Sequence, residues 1–251
     1  MQDMDKEIHD LILNNSDYTD ILYNDNRWDV LYNLSPLREN ILEWYSFDAK
    51  ASLLEIGAEF GALTSLFCRK VDKVVSLCEN DMQMEAIVHR CRNNSNVQVL
   101  ENVDDVEGKF DYITIINPKS DVQDTVADTM KFLKEDGKLI ISCDNSLALK
   151  YFLDNEDRNN TVCVSKKQIK DYLENRDFRE IKFYYPLPDF RLPSVIYSET
   201  YLPKEGDIRN VNARLDKEKY QVMNEDYIYD AICDENIYEN MTNSFLIIAS
   251  R

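Results

Sequence analysis

The chain has 251 residues, enough for one large domain with a sizeable core, and its 44% hydrophobic content excludes wholesale disorder. Against 29 Lys+Arg it carries 47 Asp+Glu, a net charge of −18. That field repels phosphate backbones and argues against nucleic acid as a partner; solubility accounts for it, and recruitment of a basic partner is the sharper alternative.

Residues 1–35 read as a helical lead-in, with Ile8, Leu11 and Ile12 on one face and Trp28, Leu31 and Leu34 following. Ser35-Pro36 then opens a helix to about Phe47, Ser at the N-cap and Pro at the first helical position. From there short apolar runs alternate with helical patterns. Strands are expected at Ser52–Ile56, Val74–Cys78, Val97–Leu100, Tyr112–Ile116 and Lys138–Ser142, the last after an Asp136-Gly137 turn. Helices are expected at about Ala62–Lys70, Asp81–Arg92 and Val122–Leu133. Such alternation implies βαβ units and a parallel sheet covered by helices on both faces.

The second half is less regular. Ser165 to Gln168 forms a capping box for a helix to about Glu174, and Phe178–Tyr185 reads as a strand. Between Pro186 and Gly206, four prolines and several aromatics suggest an ordered, non-helical excursion. Residues 213–240 read as mostly helical and very acidic, and Phe245–Ala249 as a final strand returning to the sheet.

The six cysteines (68, 78, 91, 143, 163 and 233) form no CxxC and no zinc-ligand spacing with a histidine, so no metal site is expected. The first residues are acidic where a signal peptide is basic and then apolar, and no apolar run approaches the ~20 residues that cross a bilayer. The expectation is a cytoplasmic protein with reduced thiols and no membrane span.

Leu54-Glu55-Ile56-Gly57-Ala58-Glu59-Phe60-Gly61 lies where the first strand hands over to a helix. Glycines at such a turn let a ligand approach the backbone, and the helix start offers free amides. A tight turn with no ligand explains the same residues. The run resembles the ExGxGxG signature of class I S-adenosylmethionine (SAM)-dependent methyltransferases, and the resemblance continues in register. Lys73–Asn80 is similar to the second strand, Glu101–Asp105 follows the third, Phe110–Ile113 resembles the fourth-strand signature, and Leu133–Ile140 the run before the fifth.

The resemblance implies an α/β, Rossmann-like class I methyltransferase fold. Its sheet is mostly parallel and seven-stranded with helices on both faces, plus N-terminal helices and an inserted C-terminal cap. The corresponding regions are a lead-in at 1–50, a SAM-binding core at 51–185, a cap at 186–243 and a final core strand at 244–251. The implied cofactor contacts are Glu55, Gly57, Ala58, Gly61, Glu79, Asn80, Val103, Asp104 and Asn117. Of these, Glu79 would take the ribose, and Asp104 with the Val103 backbone the adenine. SAM is the implied cofactor and S-adenosylhomocysteine its product. Leu34–Asn40, Asn145–Tyr151 and Phe183–Pro203 further resemble methyltransferase-like proteins of bacterial surface-polysaccharide clusters. That implies a small-molecule or glycan-linked acceptor, and a homodimer or polysaccharide-assembly partner.

Two positions depart from the pattern. Glu59 replaces the middle glycine, where a left-handed backbone is often needed and where a carboxylate faces that of SAM. Cys78 stands at the acidic position closing the second strand, with the carboxylate one residue later at Glu79. No catalytic residue is assigned. His9 and His89 read as packing or surface residues. Asn117-Pro118 is accounted for by a strand-ending turn, because Lys119 and Ser120 break the motif of amino-methylating relatives. Asp144 and Asn145 on the strand-end rim, with Tyr184, Tyr185 and Tyr197, are candidate acceptor contacts, and the aromatic stretch is equally explained as packing. Two functions stay open, a SAM-dependent methyltransferase and a non-catalytic scaffold on the same fold.

Overall fold

A computed structural model describes residues 2–153, 162–209 and 224–251. Nine strands form one mixed sheet: β1 (Ser52–Ile56), β2 (Lys73–Leu77), β3 (Val97–Leu100), β4 (Phe110–Ile116), β5 (Leu133–Asn145), β6 (Cys163–Val164), β7 (Glu180–Leu187), β8 (Val195–Ser198) and β9 (Ser244–Ser250). Their order is β3-β2-β1-β4-β5-β9-β7-β8, with β6 added beside the end of β5. Strands β1 to β6 pair in parallel, whereas β9 runs antiparallel to both β5 and β7, and β8 folds back on β7.

The Rossmann-like architecture is as expected, but the seven-stranded sheet is corrected to nine. The two extra strands are the two-residue β6 and the hairpin strand β8, the latter inside the proline-rich run expected to be an excursion. The expected turn at Asp136-Gly137 is also strand. A side chain at Gly137 would come within 2.7 Å of Leu133, so glycine is what lets the irregular start of β5 continue. The part of the expected acidic helical stretch at 213–223 lies outside the described residues; beyond it are α10 (Glu225–Asp234) and α11 (Tyr238–Met241).

Alternation along the strands sends residues to two apolar layers. On one face Leu54, Val75, Ile113 and Ile141 meet α7 (Val122–Thr129) and α9 (Lys166–Glu174) through Val126, Ile169 and Leu173. On the other, Leu53, Val74 and Ile140 meet α4 (Asn40–Glu43), α5 (Thr64–Lys70) and α6 (Asp81–Arg90) through Leu42, Leu66, Phe67 and Ile87. The capping box at Ser165 and Gln168 forms in full at the start of α9. Lead-in helices α1 (Gln2–Asn14), α2 (Thr19–Asn24) and α3 (Trp28–Leu34) lie against α6, where Ile8, Ile12, Val30 and Leu34 enclose Phe60 and Ala86. Helix α8 (Lys150–Leu153) follows β5.

Strand order reverses between β1 and β4, which places a crevice at the carboxyl ends of those strands, bordered by the Gly57–Gly61 turn and Asn117. Gly61, with φ +77°, closes that turn against α6, where an added Cβ would lie 2.9 Å from Ile87. Gly61→Ala combines overpacking with backbone strain, and a loss of about 1–3 kcal/mol is expected in denaturant unfolding. Unchanged stability would show that α6 does not bear on the turn.

Candidate functional site

The turn after β1 is held back onto the sheet by the Ala58 amide, which donates to the Leu77 carbonyl over 2.8 Å. Gly57 has φ +72°, and a Cβ built on it would meet nothing within 4 Å. The conformation excludes most side chains, while the space beside it lies open. Glu55, the last inward polar residue of β1, points instead into the helix-covered layer. Its buried carboxylate accepts from Thr64 Oγ1 and Ser76 Oγ, each over 2.7 Å. Burial outweighs those two bonds and pushes its pKa up to about 7.

Glu59 is the centre of the crevice. Its backbone is left-handed at φ +51°, and so is that of Asn117 at φ +59° on the facing strand end. A glutamate held there is strained by about 1–2 kcal/mol relative to glycine. Its carboxylate accepts from the Tyr32 hydroxyl over 2.7 Å and from Asn117 Nδ2 over 3.3 Å. Lys119 Nζ stands 2.6 Å from Oε1, and Arg38 Nη2 3.7 Å from Oε2. Asn117 Nδ2 also donates to the Tyr32 oxygen over 2.9 Å, so the donors brace one another. Burial works to raise the Glu59 pKa, but Lys119 and then Arg38 hold it below the ordinary carboxylate range. Arg38 is itself only 4% exposed, stacks over the Tyr32 ring at 3.8 Å, and its Nε and Nη1 have no hydrogen-bond partner among the described residues. A cavity of about 10 Å³, room for about one water, is lined by Arg38, Glu55, Gly57, Ala58 and Ile116 among others.

At the ends of β2 and β3, Asn80 caps α6 by accepting from the Gln83 amide, and Glu79 is exposed with no partner for its carboxylate among the described residues. Cys78 is buried, its thiol 3.5 Å from the Leu100 carbonyl and raised in pKa by burial and then by Glu101. Val103, 36% exposed, and the exposed Asp104 lie on a 3-10 turn after β3, where the Asn102 side chain accepts from the Asp104 amide.

The remaining sequence candidates divide. Asp144, at the end of β5, is 1% exposed and gripped by Arg191 Nη2 over 2.6 Å and Lys150 Nζ over 2.5 Å. Burial alone would raise its pKa; Arg191, then Lys150, bring it below the usual value. Arg191 also pairs with Asp189 over 2.9 Å. Asn145 instead faces the chain's own C-terminal segment, donating to the Asn240 and Thr242 carbonyls. The three tyrosines do not meet at the crevice. Tyr184 tilts against Trp44 in an open groove of about 600 Å³ with Glu43 and Ile196. Tyr185 is buried between Lys166 and Glu239, and Tyr197 packs against Tyr201 and Tyr238. Adjacent on β7, Tyr184 and Tyr185 face opposite sides of the sheet, and Tyr197 on β8 pairs with Tyr185. Sequence reasoning missed Tyr32, met Lys119 only as a break in a motif, and met Arg38 and Arg191 only within longer runs.

No family model matches the chain, and no curated protein sequence matches it. Solved structures do. A SAM-dependent methyltransferase of Thermotoga maritima, described as a possible histamine N-methyltransferase, aligns over 93% of this chain and 97% of its own, with TM-score 0.55 and 13% identity. A SAM-dependent methyltransferase of Archaeoglobus fulgidus aligns over 88% and 96%, with TM-score 0.54 and 15% identity. At such identities the likeness establishes the fold, that of the SAM-dependent methyltransferases.

Glu55 supplies a pH test of the site's core. Its folded pKa, about 7, lies above the ordinary glutamate value, so the stability it contributes is fully present below about pH 4.5 and lost as pH rises to 7. Glu55→Gln removes that dependence. The variant's advantage over the parent is expected to grow to about 3 kcal/mol by pH 8 and vanish near pH 4. A difference that does not change with pH would mean the carboxyl titrates alike in the folded and unfolded chain.

Proposed function

We propose that the chain is a SAM-dependent methyltransferase acting on a small-molecule or glycan-linked acceptor, with the adenosyl group lying along the carboxyl ends of β1, β2 and β3. The observation that carries this reading is the opening in front of the left-handed Gly57 backbone, beside the unpaired, exposed Glu79. A side chain at Gly57 would enter that space, and glycine leaves it to a ligand. Glu79 would accept from the ribose hydroxyls, and Asp104 from the adenine amino group, with Val103 against the ring. The unpartnered Nε and Nη1 of Arg38 fit an anionic group reaching the far end of the crevice.

When bound, SAM supplies a methyl group that is already activated, which leaves the protein to align the acceptor. Asn117, Asp144 and Arg191 would stand on the acceptor side. Asp144, fixed between two cations, would orient an acceptor rather than take its proton, so an acceptor needing little base, such as an amine, suits the site. A second reading, a non-catalytic binding subunit on the same fold, is favoured by Glu59, which fills the region the carboxylate end of SAM would enter.

Calorimetric titration with S-adenosylhomocysteine tests the site. Glu79→Ala is expected to weaken binding about tenfold or more, close to 1.4 kcal/mol per decade. Equal affinity would remove Glu79 from the site, and no binding to the unaltered protein at millimolar ligand would leave the subunit reading.

A further inference from the structure

We propose that Tyr32, Arg38, Asn117 and Lys119 form a carboxylate-binding pocket whose resident ligand is the chain's own Glu59. Four donors from three separate segments converge on one carboxylate, two of them cationic. Ion pairs on a protein surface seldom gather this way: the Glu59 side chain is 15% exposed and that of Arg38 5%. The backbone bends to make the arrangement, since both Glu59 and Asn117 sit in the left-handed region. Strain of this kind persists where surrounding contacts over-determine it.

A second observation points to a ligand larger than Glu59 supplies. Arg38 is buried, yet Glu59 reaches it only at 3.7 Å, and two of its three nitrogens are unpartnered beside the small cavity behind Gly57. A guanidinium forms its strongest contacts with a bidentate carboxylate, and a buried one left half-satisfied is costly. A free carboxylate entering from the Gly57 side would reach those nitrogens once Glu59 withdraws. Glu59 has an exit, because its strongest partner, Lys119, is 56% exposed and can follow it toward solvent. Binding at this end of the crevice is therefore a competition between two carboxylates for one set of donors. The inference rests on the adenosyl reading only for its second arm.

The experiment exchanges the internal carboxylate for one in solution. Thermal unfolding of Glu59→Ala and Glu59→Gly is measured in sodium acetate against sodium chloride at equal ionic strength. Glu59→Gly relieves the left-handed backbone and serves where Glu59→Ala folds poorly. Acetate is expected to raise the unfolding midpoint of both by about 2–4 °C, saturably, and to leave the parent and Glu59→Gln, whose amide still fills the pocket, unmoved. An equal response in all four proteins, or none in either truncated variant, overturns the pocket. A second arm compares S-adenosylhomocysteine with adenosine on Glu59→Ala. A tenfold gain confined to the carboxylate-bearing ligand identifies an adenosyl cofactor as the competitor. An acetate response without that gain keeps the pocket and assigns it to free carboxylic acids, and failure of both ligands to bind refutes the adenosyl reading alone.

Discussion

One carboxylate organises the crevice. Glu59 joins the turn after β1 to α3 through Tyr32, to the 3-10 turn Pro36–Glu39 through Arg38, and to the end of β4 through Asn117 and Lys119. Without it, Tyr32, Arg38, Asn117 and Lys119 would lose their shared carboxylate, and the two cations would repel. The lead-in helices are thereby tied to the sheet at the point where strand order reverses, in addition to the apolar contact they make on α6. The fold places the crevice, and the ion cluster decides how much of it is open.

The same logic extends across the strand ends. Asp144 is satisfied by Arg191 and Lys150, and Arg191 by Asp144 and Asp189, so this second cluster is charge-compensated in itself. Buried ion pairs add little net stability compared with apolar packing, but removing one partner is expensive. Such a network holds geometry rather than supplying stability. The ends of β2 and β3 differ: Glu79, Val103 and Asp104 are exposed, and none of their side chains is taken up by the sheet. One half of the crevice is poised to meet a ligand, and the other is already filled.

Much of the fold was legible in the sequence because the signals were local. Strands β1 to β4 follow apolar runs bounded by turn residues, and α9 begins at a capping box that forms as read. The second half was harder for identifiable reasons. β6 has two residues, too few for any periodicity, and β8 lies between prolines in a run whose aromatics read as a covering excursion. Gly137 reads as a turn beside Asp136, yet it is needed for want of space against Leu133. At the site, Glu59 was visible because it stands where a glycine pattern predicts none. Its partners were not: Tyr32 and Asn117 lie 27 and 58 residues away, brought near only by tertiary packing. Asn145 and Tyr185 sat plausibly near strand ends but turned to internal partners, which no strand pattern reveals.

The central claim is that the nucleoside half of the crevice is free while the carboxylate half is self-occupied. Paired calorimetric titrations of the unaltered protein with adenosine and with SAM test it most directly. The account predicts that both bind and that SAM gains less than about tenfold over adenosine, under 1.4 kcal/mol, because its carboxylate finds its donors taken. SAM binding a hundredfold or more tighter than adenosine would contradict it, showing that Glu59 presents no obstacle.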